Sequence, residues 1–181
     1  LEALRTHRRE DGPCLVVCPA SLVENWRREA RRFTPSLKVL AHHGQSRESA
    51  PEYLQKFDLI VTSYGTLARD IGSFALVTWG AAICDEGQNI KNARSQSAKA
   101  VKQLISKGRY ILTGTPVENS LEDLRSLFGF LMPGYLPKPE ERLASEDRKW
   151  HDDRLLRMAA PYILRRSKVA VAPELPPKIE Q

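Results

Sequence analysis

Short apolar runs that end in polar loops are the feature of this sequence that most restricts its fold. The segments Cys14–Cys18 and Ala81–Cys84 are short and wholly apolar, and Asp58–Ser63 has an apolar centre of three residues. Runs of this kind are typical of strands that are buried on both faces of a parallel sheet. Helical patterns lie between them, and strands that alternate with helices predict an α/β domain with a mostly parallel sheet.

The helix predictions depend on capping signals and on apolar spacing. Ser21 and Glu24 form the pattern of a capping box at the start of one helix. That helix would have one apolar face, formed by Leu22, Trp26, Ala30 and Phe33. Helices are also expected over Thr66–Asp70 and Ser97–Ile105, and after Ser120, where Asp123 completes a second capping box.

The chain divides into stretches of different character. Residues 1–132 contain the strand and helix pattern, and Leu1–Arg9 resembles the end of a helix. Residues 133–151 are charged and include three prolines, which indicates an exposed connection. Residues 152–181 begin with a predicted helix, Asp152–Leu164, and continue as a linker whose prolines exclude a continuous helix.

Composition narrows the class of protein. A net charge of +6 fits contact with an anionic partner such as nucleic acid, and it also fits an ordinary basic surface. The three cysteines lie in predicted core strands, which argues against a disulfide framework and for a reducing compartment. His42 and His43 are adjacent on a predicted strand, so they point to opposite faces and are interpreted as structural or solvated residues. We find neither a signal peptide nor an apolar stretch long enough to span a membrane.

Two adjacent carboxylates follow one of the apolar runs, at Asp85 and Glu86. In open parallel sheets, ligands bind beyond the carboxyl ends of the strands. Asp85 would bind Mg²⁺, which prefers oxygen ligands, and Glu86 would orient or polarise a water that attacks a nucleotide γ-phosphate. The alternative is an acidic N-cap of a helix, which also favours these residues. The preceding apolar strand and a second polar loop nearby favour the first interpretation.

That second polar loop follows the run Arg109–Leu112. Its hydroxyl residues, Thr113 and Thr115, would hydrogen-bond to the carboxylate loop and report the state of the nucleotide. The alternative is a tight turn, for which Gly114 and Pro116 are sufficient.

Ser21 and Trp26 also allow two interpretations each. Ser21 lies at a predicted helix start whose free N–H groups would bind a nucleic-acid phosphate, or it serves only as a cap. Trp26, taken alone, is interpreted as a core residue rather than a platform on which a base stacks.

A phosphate-binding loop of the form G-x-x-x-x-G-K-[ST] is absent from the sequence, although a magnesium–nucleotide site of this kind normally needs one. A G-x-G-x-x-G pattern is also missing after the first strand, which weakens an assignment as a metabolic enzyme with a nucleotide cofactor. We therefore expect part of a nucleotide-driven machine.

Several short motifs occur in an order known from one family. They are Pro19–Trp26, Thr62–Gly65, Asp85–Gln88 with Ile90–Asn92, Leu112–Pro116 with Glu118 and Asn119, and Ile163–Arg166. On these motifs the chain resembles the first motor lobe of Swi/Snf-type ATPases, within the second superfamily of helicase-like proteins. The resemblance covers nearly the whole chain. It implies a RecA-like lobe of the P-loop NTPase type, incomplete here, with a C-terminal helical extension that leads through Ile163–Arg166 toward a second lobe.

The resemblance also implies roles for individual residues. Asp85 and Glu86 are similar to the magnesium and catalytic carboxylates, with Gln88 coupling the nucleotide site to DNA. The coupling motif would be Thr113, Gly114 and Thr115. The DNA-tracking motifs would be Pro19, Ser21, Asn25 and Trp26, and then Thr62, Ser63 and Tyr64. Gly87 stands where the family often has alanine, a mild departure.

By the same resemblance, the parent protein would be a DNA-dependent ATPase that uses ATP and Mg²⁺ to translocate along double-stranded DNA. Its partners would be DNA and DNA-bound proteins, and not a membrane. The isolated chain is expected to be inactive, because the phosphate loop and the second lobe with its arginine fingers are missing. The alternative is a non-catalytic lobe that binds DNA or protein. Compact motifs favour a bacterial member in the cytoplasm, associated with the nucleoid, whereas a eukaryotic member would be nuclear.

Overall fold

The computed structural model describes residues 11–114, 120–138 and 145–166. The chain forms two compact units, residues 1–135 and residues 136–181. Three predicted features lie outside the described residues: the helix Leu1–Arg9, the segment 115–119 that includes Thr115, and the linker after Arg166.

A parallel sheet of five strands forms the centre of the first unit. The strands are β1 (Cys14–Cys18), β2 (Val39–His42), β3 (Leu59–Ser63), β4 (Thr78–Asp85) and β5 (Ile105–Leu112). They lie in the order β2-β3-β1-β4-β5. Every residue of β1 and of β3 is buried, as expected for strands covered on both faces. The predicted mostly parallel sheet is therefore confirmed.

Helices cover both faces of this sheet. They are α1 (Val23–Phe33), α2 (Pro51–Leu54), α3 (Tyr64–Phe74), α4 (Gln96–Lys102) and α5 (Leu121–Leu131). Because side chains alternate along a strand, Val16 and Leu15 belong to different clusters of buried residues. The cluster with Val16 includes residues of α1, whereas the cluster with Leu15 includes residues of α3, α4 and α5.

The second unit contains the helix α6 (Ser145–Ala159) and a short 3₁₀ turn, Ala160–Tyr162. The observed helix therefore begins and ends earlier in the chain than the predicted helix Asp152–Leu164. Residues 145–151, which were predicted to belong to the exposed connection, are helical. Most residues of this helix are charged, so the sequence shows no broad apolar stripe that would mark its start. None of the described helices is long and apolar enough to cross a membrane.

The start of α1 differs from the prediction. Ser21 lies inside a 3₁₀ turn, Ala20–Leu22, and α1 begins at Val23 without a side-chain cap. Ser21 therefore does not act as the predicted N-cap, since that role needs an extended residue directly before the helix. Phe33 was expected on the buried face but is 62% exposed, with the Arg32 guanidinium over its ring.

The boundary between α4 and β5 also differs. The predicted helix Ser97–Ile105 ends at Lys102, and Ile105 is the first residue of β5. This strand is at the end of the sheet order, and its Ile105, Tyr110 and Leu112 side chains are exposed. Its first half consequently lacks the continuous apolar run by which the inner strands were detected.

Candidate functional site

The strand register brings the carboxylate loop and the threonine loop to one edge of the sheet. Asp85, the last residue of β4, is paired with Leu112, the last residue of β5. Ser63 ends β3 opposite Cys18 of β1, at the same edge. The polar segments that follow these strands therefore meet where ligands bind in parallel α/β folds.

Asp85 is held by contacts from three directions. Its Oδ2 accepts a hydrogen bond from the Trp26 indole Nε1 at 2.8 Å, and its Oδ1 accepts one from the Glu86 main-chain N at 2.9 Å. Its main-chain O accepts a hydrogen bond from the Tyr64 hydroxyl at 2.7 Å. Each carboxylate oxygen has a further lone pair, so the group is oriented and still able to bind a cation.

Glu86 adopts a left-handed backbone conformation, with φ 54° and ψ 60°. It is the one non-glycine residue with positive φ among those that the structure describes. Such a conformation costs a residue with a side chain about 1–2 kcal/mol, and strain of this kind concentrates at functional sites. The turn directs the chain from β4 into a 3₁₀ turn, Gly87–Ile90.

Gln88 links the catalytic carboxylate candidate to the threonine loop. Its Nε2 donates to Glu86 Oε2 at 2.8 Å, and its Oε1 accepts from the Thr113 hydroxyl at 3.1 Å. The predicted hydrogen bond between Thr113 and the carboxylate loop is therefore present. Gly114 is exposed beside it, with open space where a Cβ would lie, and Thr115 is outside the described residues.

Gly87 fits a close approach between the carboxylate loop and β5. A Cβ on this residue would overlap Cγ2 of Ile111. Alanine, which the family often has at this position, would require Ile111 to move, so the change from alanine to glycine is not a mild one in this chain. The absence of a side chain at Gly87 leaves the space that Ile111 occupies.

The cysteines near the site are not ligands or nucleophiles. All three are buried and lie outside any disulfide. Burial is the main cause that raises the pKa of Cys18 to about 12, with the Asp85 charge as a second cause. Burial also raises the pKa of Cys84 to about 12. Both remain neutral thiols at ordinary pH, since a thiolate is disfavoured in apolar surroundings.

The arrangement fits Mg²⁺ that is bound together with a nucleotide. Within residues 11–114, 120–138 and 145–166, no group of three His, Cys, Asp or Glu side chains is placed to hold a metal. Mg²⁺ commonly takes one or two protein carboxylates and completes its shell with phosphate oxygens and waters. The half-buried Asp85 carboxylate offers the hard oxygen donors that such a site needs.

The two predicted DNA-tracking segments differ in exposure. In the first, Ser21 and Asn25 are exposed and Pro19 is half-buried. In the second, the side chains of Thr62, Ser63 and Tyr64 are buried. Only the first segment presents side chains to a large partner.

The buried Thr62 and Ser63 side chains of the second segment form hydrogen bonds with main-chain groups of the same domain. The Thr62 hydroxyl donates to the main-chain O of His42 at 2.9 Å, and Ser63 caps α3 by accepting from the Thr66 N at 3.1 Å. Gly65 is exposed at the start of α3, with open space where a Cβ would lie. Contact between this segment and DNA would therefore use the main chain around Gly65.

A second carboxylate cluster, which no sequence pattern indicated, is here called the Asp70 cluster and consists of His42, Arg47, Ser49 and Asp70. Arg47 donates to both oxygens of Asp70, from Nε at 2.6 Å and from one terminal nitrogen at 2.8 Å. His42 Nε2 lies 2.8 Å from Asp70 Oδ2, and the Ser49 hydroxyl donates to the same oxygen at 3.2 Å. No local motif joins residues so far apart in sequence, so no signal marked them.

Titration in the Asp70 cluster follows from these contacts. The hydrogen bonds from Arg47, then His42 and Ser49, lower the pKa of Asp70 to about 2, against the opposing effect of partial burial. Burial lowers the pKa of His42, so the ring is neutral at pH 7 and its Nε2–H donates to Asp70. The cluster fixes the loop after β2 to α3.

Comparisons with known proteins show the family to which the chain belongs. The family model of the SNF2-related domain matches residues 1–181. TATA-binding protein-associated factor mot1 of Schizosaccharomyces pombe is 39% identical over 93% of this chain and 10% of its own length. The putative ATP-dependent helicase/translocase YwqA of Bacillus subtilis is 35% identical over 96% of this chain and 20% of its own length.

A solved structure shows the same fold. The Sulfolobus solfataricus SWI2/SNF2 ATPase core in complex with dsDNA superposes with a TM-score of 0.76 and is 38% identical. The match covers 91% of this chain and 36% of that chain, so the present chain spans a minor part of each of these relatives. Its motifs, parallel sheet and carboxylate loop, together with the match over residues 1–181, show that the chain belongs to the SNF2-related family of helicase-like ATPases, of which it resembles the first lobe.

Proposed function

We propose that this chain supplies the magnesium and catalytic carboxylates of a motor that hydrolyses ATP to translocate along double-stranded DNA. The observation that carries the proposal is the hydrogen-bonded series from Glu86 through Gln88 to Thr113, beside the oriented Asp85 carboxylate. A lobe that served only as a binding platform would not need a strained glutamate at this position. Similarity to a putative ATP-dependent helicase/translocase and to a SWI2/SNF2 ATPase core supports the same activity.

Each residue of the site would make a distinct contribution. Asp85 would hold Mg²⁺, which neutralises phosphate charge when it is bound. Glu86 would orient the attacking water and accept its proton, as positioned carboxylates do in phosphoryl transfer. Gln88 would hold Glu86 and transmit its position to Thr113, Gly114 and Thr115.

DNA would lie along the same edge of the sheet. Ser21 and Asn25 would contact the phosphate backbone through exposed side chains, and the main chain near Gly65 would provide a second contact. Support comes from the Sulfolobus core, whose structure is a complex with dsDNA. DNA-bound proteins as further partners are proposed by analogy with the TATA-binding protein-associated factor mot1.

The division into residues 1–132, 133–151 and 152–181 remains part of this proposal. In it, the first stretch is the ATPase lobe, and the last leads through Ile163–Arg166 to a second lobe. Ile163 and Leu164 are exposed at that position. Because relatives occur in a bacterium and in a nucleated cell, a location with the nucleoid or in the nucleus is equally consistent with the proposal.

The test is double-stranded DNA-stimulated ATP hydrolysis by the full-length protein that contains this chain. Glu86→Gln should lower the rate about 10²–10⁴-fold and leave ATP binding intact, because it removes the base and keeps the shape. The isolated chain of 181 residues should show no stimulated turnover, since its sequence has no phosphate loop. Glu52→Gln, in the short helix α2 away from the site, is the matched control.

Two results would overturn parts of the proposal. Stimulated turnover by the isolated chain, lost on Glu86→Gln, would show that the phosphate loop is not needed. Full activity of the Glu86→Gln variant would favour the non-catalytic lobe, whose DNA affinity should depend on salt and not on ATP.

A further inference from the structure

Two aromatic side chains from the predicted DNA-tracking segments meet at the magnesium carboxylate. Trp26 belongs to the first segment and Tyr64 to the second, and both donate hydrogen bonds to Asp85. The contacts are of different kinds, since Trp26 binds the carboxylate and Tyr64 binds the main-chain oxygen. Together they fix the side chain and the backbone of one residue.

The two contacts come from opposite faces of the sheet. Trp26 packs with the cluster of buried residues that includes α1, and Tyr64 belongs to the cluster that includes α3. A displacement of either helix relative to β4 would therefore change the position of Asp85. Because β4 is an inner strand and is itself held by β1 and β5, the helices are the parts that can shift at least cost.

Both donors are suited to a permanent contact. An indole N–H can donate but not accept, so its partner must be an acceptor such as Asp85 Oδ2. The Tyr64 side chain is buried, and its hydroxyl donates to the Asp85 main-chain O at 2.7 Å.

Exposed residues of the first segment lie close to Trp26 in the sequence. Asn25 precedes it directly and is exposed, and Ser21 is exposed in the 3₁₀ turn before α1. Gly65, the exposed main-chain position of the second segment, directly follows Tyr64. Each segment thus has a surface for a phosphate next to a side chain that bonds to Asp85.

We infer that Trp26 and Tyr64 are positioning residues through which contact with DNA sets the orientation of the Asp85 carboxylate. The inference rests on the proposed function, and it adds a direct route from DNA to the cation-binding residue beside the Gln88–Thr113 connection. Groups that orient a metal ligand commonly change metal affinity about 10–100-fold when they are removed. Coupling is reciprocal, so DNA should raise cation affinity by the factor by which the cation raises DNA affinity.

The experiment measures the affinity of Mn²⁺, as a spectroscopic substitute for Mg²⁺, in the full-length protein with ATP, with and without double-stranded DNA. Electron paramagnetic resonance of free Mn²⁺ gives the dissociation constant without turnover when Glu86→Gln is the background. Trp26→Phe should weaken Mn²⁺ binding about tenfold in the presence of DNA and remove most of the increase that DNA causes. Tyr64→Phe should act in the same direction, with a smaller effect.

The controls separate orientation from folding. Tyr53→Phe removes a hydroxyl from a residue that packs against Phe57, and Trp150→Phe removes an indole from the second unit; both should change nothing. Replacement of Trp26 by benzothienylalanine keeps the ring shape and removes only the N–H, so it should reproduce the Trp26→Phe effect even if phenylalanine packs poorly. In an Asp85→Asn background, Trp26→Phe should have no additional effect, as expected for a pair that acts together.

The outcomes distinguish this inference from the proposed function. If Asp85→Asn does not weaken Mn²⁺ binding, the proposed function fails. If Asp85→Asn weakens it but benzothienylalanine at position 26 and Tyr64→Phe both leave the DNA-dependent increase unchanged, the inference is wrong and the proposed function stands.

Discussion

Two carboxylates near the same edge of the sheet have opposite surroundings. Asp70 accepts hydrogen bonds from three side chains, and Arg47 binds both of its oxygens. The Asp85 carboxylate accepts one side-chain hydrogen bond, from Trp26, and one main-chain hydrogen bond, from Glu86, whose own backbone is strained. A carboxylate whose acceptor sites are filled stabilises the fold, whereas one that is oriented and left open can bind a ligand. The number of filled acceptor sites, rather than position alone, distinguishes a structural carboxylate from a functional one.

Asp70→Asn is the substitution that should most sharply separate the two clusters. It leaves Arg47 without its counter-ion and should lower the free energy of unfolding by about 2 kcal/mol, since the half-buried Asp70 loses charge-assisted hydrogen bonds. Asp85→Asn should cost less than about 1 kcal/mol, because it disturbs few hydrogen bonds. Urea denaturation of the 181-residue chain, followed by circular dichroism, measures both. Equal losses would contradict the distinction.

The pH dependence of stability should come from the Asp70 cluster. The pKa of Asp70 is lowered to about 2 in the folded state, so its contribution, about 2 kcal/mol, is present above pH 4 and is lost between about pH 4 and pH 2. The pKa of His42 is lowered as well, so stability should begin to fall as the pH drops below about 6.5. Urea denaturation at a series of pH values tests this. The acid-side loss should be smaller in Asp70→Asn than in the natural chain.

Gly87→Ala tests the close fit of the carboxylate loop against β5. The added methyl group would overlap Ile111 Cγ2, and the forced shift should cost about 1–2 kcal/mol. Thermal unfolding measures the loss. In an Ile111→Ala background the same substitution should cost much less, so a double-mutant cycle gives a clear coupling energy. An additive result would show that the two residues do not compete for space.

Glu86→Gly should have the smallest effect, and it should be stabilising. Glycine adopts the left-handed conformation without a steric penalty, so the free energy of unfolding should rise by up to about 1 kcal/mol. Glu86→Ala is the matched control, because it also removes the carboxylate and keeps the strain. A gain for alanine equal to the gain for glycine would show that the carboxylate, and not the backbone, is the source of the cost.

Much of this fold could be predicted because its inner strands are short, apolar and separated by helices. The tip of β4 was located for the same reason and the tip of β5 by its last apolar residues, so the carboxylate loop and the threonine loop were predicted at one edge of the sheet, as observed. The capping box at Ser21 was wrong because a 3₁₀ turn precedes α1, and a pattern of residue types does not distinguish the two turns. Sequence patterns predict an element correctly where its structure depends mainly on residues that are neighbours in the sequence.

Such patterns did not predict contacts between residues that are far apart in the sequence. The hydrogen bond from the Trp26 indole to Asp85 forms only when the sheet brings separate segments together. The same holds for the contacts of the Asp70 cluster. Trp26 was interpreted as a core residue from its helical position, and it is half-buried with its N–H directed at the site. The amphipathic character of tryptophan, an apolar body with one donor, is the signal that would have suggested such a role.

The most direct test of the account is DNA-stimulated ATP hydrolysis by the full-length protein with Asp85→Asn or Asp70→Asn, each at a temperature where the variant is folded. If Asp85 is the cation-binding carboxylate, its loss should lower turnover about 100-fold or more, because the charge that holds Mg²⁺ is removed. Folded Asp70→Asn should keep turnover within about threefold of the natural protein, a difference of less than about 1 kcal/mol in the barrier. Comparable losses from the two substitutions, or normal turnover by Asp85→Asn, would contradict the assignment of one carboxylate to function and the other to structure.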